Sequence, residues 1–158
     1  MRLPACPRAR RREDGAAAVE FALVVPFLLL LVFGIISYGY MLSFRQALSQ
    51  GAAEGVRAAA VSARGSSEEQ TRTAALNALN EALETYGVTC DGAAMTYDGV
   101  PAGTCSVTID SCSNNVSKRC ASVNLAYAYR ENAPIPTFPG IGVALPASLD
   151  YAAVAEVG

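Results

Sequence analysis

From Phe21 to Phe44 the chain runs 24 residues without a charged side chain, and Arg45 closes the run. As a helix this stretch is about 36 Å long at about 1.5 Å per residue. That crosses a hydrocarbon core of about 30 Å with some tilt. Beyond Arg45 the helix is expected to continue to about Ala63 and to end at Gly65. Ser66-Ser67-Glu68-Glu69 then offers a capping box of Ser66 with Glu69, in which each side chain satisfies a free backbone N–H of the first turn. It predicts a second helix over about 67–86, with Leu76, Leu79, Leu83 and Tyr86 as its apolar stripe and Gly87 at its end.

After Val88 the pattern changes to short strands. Ala94–Tyr97 is one candidate, ended by a turn at Asp98-Gly99-Val100-Pro101. Cys105–Asp110 alternates with period two, as a half-buried strand does. Ala121–Tyr129 is expected to be the longest strand, with Val123, Leu125, Tyr127 and Tyr129 on one face, and the polar stretch Ser111–Arg119 reads as the loop between these two strands. Residues 131–147 hold Pro134, Pro136, Pro139 and Pro146 among apolar Ile135, Phe138, Ile141, Val143 and Leu145. They are read as an extended cover for the sheet or a contact for a partner. Leu149–Val157 closes the chain as a short helix or strand. The class is therefore α+β: a long N-terminal membrane helix continuing outside the membrane, a second helix, and a small antiparallel sheet.

Charge adds an orientation. Residues 1–15 carry five arginines against Glu13 and Asp14, so of the 12 basic and 14 acidic residues, 7 and 12 remain beyond them, a net of −5. The arginines flank the apolar run on its N-terminal side, which keeps that side cytoplasmic and sends the rest outward. Nothing in the remainder resembles the clustered Lys and Arg of a nucleic-acid footprint. The chain has no histidine, which removes imidazole acid–base chemistry and His metal ligands. Cys90, Cys105, Cys112 and Cys120 all fall beyond the apolar run, and Cys6 precedes it. An even set on the outer side reads as two disulfides, with three pairings possible. Closure of the Ser111–Arg119 loop by Cys112 and Cys120 would leave Cys90 with Cys105. A zinc site is disfavoured by the lack of any C-x-x-C pair or histidine, and no cofactor is indicated.

Three further features stand on the long helix. Glu20 lies just before the uncharged span, and a carboxylate near the edge of a spanning segment needs a partner. A cut between Gly15 and Ala16 would make Glu20 the fifth residue and create an α-amino group to pair with it on a neighbouring copy. Pro26 removes one helical hydrogen bond and is expected to kink the helix. Gly51 and Gly55 form a G-x-x-x-G within a row of small residues four apart, which permits close helix packing.

A short basic leader, Gly before the cut and Glu at position five form the pattern of type IV prepilins. The run Ala16-Ala-Ala-Val-Glu-Phe-Ala-Leu-Val-Val-Pro26, with Arg45-Gln-Ala-Leu and Ala53-Glu-Gly-Val-Arg57 after it, closely resembles the TadE-like family of minor pilins and pseudopilins of tight-adherence (Flp-type) pilus systems. The resemblance covers about residues 15–64, with a weaker echo at Val123–Tyr129 and the proline-rich stretch after it. Family members often carry an acidic residue where Ser37-Tyr38-Gly39 stands here. The resemblance implies a prepilin peptidase, other pilins or pseudopilins, an assembly platform and the lipid bilayer as partners. It implies residues 1–15 as a cleaved leader, 16–64 as the long helix spanning the membrane over about 21–44, and 65–158 as an extracytoplasmic domain. The reading is of a structural subunit rather than an enzyme. A plain signal-anchored envelope protein with an outer binding domain is the alternative, and it would need neither Glu20 nor the Gly15 site. An anchored enzyme is the weakest reading, since no nucleophile–base set, phosphate loop or metal cluster is evident.

Overall fold

The computed structural model describes residues 10–62, 65–135 and 145–157. Cys6, Ala63 and the proline-rich centre at 136–144 lie outside the described residues. Helix α1 spans Arg10–Ser62, 53 residues, and passes through Pro26. The chain divides into two compact units, with the boundary between Ser37 and Tyr38 inside α1.

The first unit is the N-terminal part of α1. Its apolar side chains stand in the open: Phe21 is 70% exposed, Phe27 76%, Leu30 64% and Ile35 65%. This is the one helix among the described residues that is long and apolar enough to cross a membrane.

The second unit begins at Tyr38 and is α+β. Its part of α1 supplies Met41, Phe44, Leu48, Ala52, Val56 and Ala59 to the core, a row of three- and four-residue steps that keeps one face inward. Helix α2 follows over Glu68–Leu83. Its cap is one residue later than the sequence suggested. Ser67, in an extended conformation, accepts from the N–H of Gln70, and the Gln70 side chain accepts from the N–H of Ser67. The shift places both Glu68 and Glu69 in the first turn, where the helix dipole favours negative charge. The buried face also differs from the expected stripe. Thr71, Ala75, Leu79 and Leu83 point inward, while Leu76 is half-buried and Tyr86 lies in a 3-10 turn, Glu84–Tyr86, beyond the helix. Gly87 ends that turn with φ 66°, and a Cβ there would stand 2.9 Å from Asp98 Oδ1.

Five antiparallel strands form a sheet in plain sequence order: β1 Val88–Cys90, β2 Ala94–Tyr97, β3 Val100–Cys112, β4 Asn115–Tyr127 and β5 Leu149–Val157. Turns are shorter than the sequence suggested. Tyr97 pairs directly with Val100, so only Asp98 and Gly99 turn, both at positive φ (49° and 82°). Such a two-residue loop matches the twist of its strands. Likewise Ser111 and Asn115–Arg119 are strand, and Ser113-Asn114 is the whole turn between β3 and β4. The inward face holds Val107 and Ile109 of β3 and Ala121, Val123, Leu125 and Tyr127 of β4. A bulge near Met95/Thr96 lets both Ala102 and Cys105 point inward despite their odd spacing. Gly103 beside it has no alternative, because a Cβ would overlap the Ala126 carbonyl oxygen. Disulfides join Cys90 to Cys105 and Cys112 to Cys120.

Candidate functional site

On the N-terminal part of α1, Gly15, Ala16 and Glu20 are exposed on successive turns. A Cβ on Gly15 would meet nothing within 4 Å. The Gly15–Ala16 peptide is helical, and Glu20 follows Ala16 by four residues, about one turn. Pro26 lies a further six residues along the same helix.

Gly51 and Gly55 meet α2 of their own chain. A Cβ at Gly51 would stand 3.1 Å from the Leu79 side chain, and one at Gly55 3.3 Å from both the Ala75 carbonyl oxygen and Val123. The small residues therefore let α1 and α2 approach closely over the sheet. Glu54 and Arg57, on the outer side of the same helix, pair at 3.2 Å. Both are exposed, so the pair contributes little.

An aromatic cluster marks the beginning of the second unit. The Phe44 ring lies 5.2 Å from Tyr86, 4.8 Å from Tyr127 and 5.6 Å from Tyr129. Tyr40 meets the edge of Tyr86 at 5.9 Å, and Ser43 Oγ shares a 2.6 Å hydrogen bond with the Tyr86 hydroxyl. The Tyr127 hydroxyl donates to the Asn132 carbonyl at 2.7 Å. The Tyr129 hydroxyl is buried with no hydrogen-bond partner among the described residues. Burial pushes the Tyr129 phenol up to about 12. It raises Tyr127 too, helped by the neighbouring Tyr97 and Tyr129. Sequence periodicity put Tyr127 and Tyr129 on one strand, but β4 ends at Tyr127 and Tyr129 lies in the turn beyond it; the pattern had no way to assign Phe44, which reads there as one more membrane residue.

Two polar details were also invisible in the sequence. Arg45 Nε donates to the Tyr151 hydroxyl at 2.8 Å, which holds the guanidinium charged. Asn80 of α2 binds the free edge of β1: its Nδ2 donates to the Cys90 carbonyl at 3.0 Å, and Cys90 N–H donates to Oδ1 at 2.7 Å. Beside that edge, Asn80, Glu81, Glu84, Gly87, Val88 and Thr89 line an open groove of about 390 Å³. The β1–β2 turn is held by Asp91, whose Oδ1 accepts from the N–H groups of Ala94 and Ala93. These bonds keep its carboxyl below the usual range. Among the described residues no three of His, Cys, Asp and Glu gather as metal ligands.

Residues 15–57 match the family model described as TadE-like protein. The match runs from the Gly15–Ala16 peptide to Arg57, past Gly51 and Gly55. It coincides with the stretch whose motifs resemble that family. No curated protein and no solved structure matches the chain.

Proposed function

We propose that this chain is a TadE-like prepilin or pseudopilin, a membrane-inserted structural subunit for a tight-adherence pilus, processed between Gly15 and Ala16. The observation that carries the reading is the position of the family match: it begins at Gly15 and takes in Ala16, Glu20 and the apolar helix after them. A pilus-system family implies association with other pilus components. A membrane prepilin peptidase acts on the Gly15–Ala16 bond, and the new Ala16 amine of one copy faces Glu20 of the next. The leader stays cytoplasmic and the disulfide-bonded domain lies outside, where two bridges persist. A structural rather than catalytic role is what a family of pilus components implies.

The test is the mass of the N-terminus of protein isolated from native membranes, with and without the prepilin peptidase. A chain beginning at Ala16 only when the peptidase is present supports the reading. A chain beginning at Met1 or Arg2 in both overturns it, and the protein is then a signal-anchored envelope protein.

A further inference from the structure

We propose that the outer edge of the hydrocarbon lies at Ser37–Tyr38, so that the membrane span is about residues 18–37 rather than 21–44. This rests on the membrane reading above and adds the depth at which the helix sits. Length and hydropathy cannot choose between the two registers, because the uncharged run is longer than a bilayer needs. The folded domain chooses.

Within the second unit, the last turns of the uncharged run are occupied by protein. Met41 is 3% exposed and Phe44 fully buried. Both are core residues, packed with Leu48 and the sheet face. Polar chain lies beside them. Tyr86 touches Tyr40 and Ser43. It is preceded by exposed Glu84 and followed by Gly87, whose carbonyl accepts from the N–H of Asp98, also exposed. A 3-10 turn and a hairpin turn expose backbone groups and two carboxylates near this level. Lipid-exposed irregular chain does not occur within the hydrocarbon, and carboxylates there are costly. The boundary must therefore fall before Tyr40. Immediately before it the helix offers Tyr38, 56% exposed, with Tyr40 half-buried. Tyrosine is enriched at the membrane–water interface. Before Tyr38, Ser37 is already covered, at 4% exposed, and before it Ile35 and Ile36 are 65% and 55% exposed, fit for lipid.

Counting back from Ser37, a core of about 30 Å takes about 20 residues at about 1.5 Å each, which reaches Ala18. The middle of the bilayer then falls near Phe27–Leu28, about 7.5 Å along the helix from the midpoint of 21–44. Glu20 lies just inside the inner edge, and the Gly15–Ala16 bond just outside it, on the water side where a peptidase can find it.

The chain contains no tryptophan, so a single introduced indole reports depth without background. The full chain is made with Leu28→Trp, Val32→Trp, Ile36→Trp, Tyr38→Trp or Leu42→Trp. Each is placed in phosphatidylcholine vesicles whose lipids carry bromine either near the chain ends or near the headgroup. Deep bromines should quench Leu28→Trp most. Shallow ones should quench Tyr38→Trp most, and Leu42→Trp should be quenched by neither. Ile36→Trp gives a second reading of the outer edge if Tyr38→Trp fails to fold. Strongest deep quenching at Val32→Trp, with Leu42→Trp quenched by shallow bromines, overturns the register while keeping the membrane reading. Absence of quenching at every position overturns both.

Discussion

Asn80 acts as a sixth strand one residue long. Its amide gives and takes a hydrogen bond with the backbone of Cys90, at 3.0 and 2.7 Å, on the edge of β1 away from β2. The edge strand is only three residues long, Val88–Cys90, and is otherwise held by its pairing with β2 and by the Cys90–Cys105 bridge. Asn80→Leu should destabilise the domain by about 2–3 kcal/mol, since it strands a donor and an acceptor that are partly buried. Asn80→Asp should not rescue it, because the carboxylate keeps the acceptor for Cys90 N–H but sets a charged oxygen against the Cys90 carbonyl. Urea unfolding in detergent, followed by tyrosine fluorescence, measures both.

The glycines of the domain rank by what stands in front of them. Gly103→Ala should be the worst, because its Cβ overlaps the Ala126 backbone, which cannot step aside without breaking the β3–β4 ladder. Gly55→Ala presses on the Ala75 carbonyl and Val123 at 3.3 Å and should cost about 1–3 kcal/mol, as overpacking does. Gly51→Ala meets first the end of the flexible Leu79 side chain and should be the mildest. Midpoints of urea unfolding for the three variants should follow that order.

The two bridges close loops of different length, with sequence separations of 15 and 8. Loop entropy alone makes Cys90–Cys105 worth about 3 kcal/mol and Cys112–Cys120 about 2.5 kcal/mol. Paired replacement by serine should therefore hurt more at Cys90 and Cys105. Cys90 and Cys105 both belong to the core cluster, whereas Cys112 is buried outside it and Cys120 is half-buried, which widens the gap. Thermal unfolding of the two double variants decides it.

Alkaline unfolding should involve Tyr127 and Tyr129. In the unfolded chain both ionise near pH 10. In the fold, burial keeps both protonated above that, with Tyr129 ionising at about 12. The unfolded state thus releases protons that the folded state holds. Stability from this source is intact below about pH 10 and falls as pH rises toward 12. Tyrosinate absorbance during a pH titration should show most of the seven tyrosines ionising first. Tyr127 and Tyr129 should follow only with loss of the fold. Tyr129→Phe, which removes a buried unpartnered hydroxyl, should be neutral or stabilising and should extend the fold to higher pH.

On the proposed function, Glu20→Gln should leave membrane insertion unchanged or improved, because it removes a charge from the edge of the span. It should abolish incorporation into pili. Immunoblots of membrane and sheared-pilus fractions report the two effects separately. Loss of both together would speak for misfolding instead, and loss of neither would remove Glu20 from assembly.

Much of this protein was legible in local pattern. The apolar run, the helix past Arg45, the stop at Gly87 and the alternation from Cys105 onward depend on residues close in sequence, and short-range sterics and periodicity write those directly. Near-degenerate signals were resolved only by folding. Ser66–Glu69 and Ser67–Gln70 both spell a capping box, and only the folded chain shows that the second forms. Polar Asn115–Arg119 reads as loop but belongs to β4, paired with β3 at Asn115 and Arg119 and with β5 at Arg119. The G-x-x-x-G announced a close approach without naming the partner. Only the tertiary structure shows that α2 takes it, with Gly51 against Leu79 and Gly55 against Ala75. The same holds for Phe44. Hydrophobicity says only that it avoids water. Whether lipid or a protein core receives it depends on Tyr86, Tyr127 and Tyr129 arriving from distant parts of the chain.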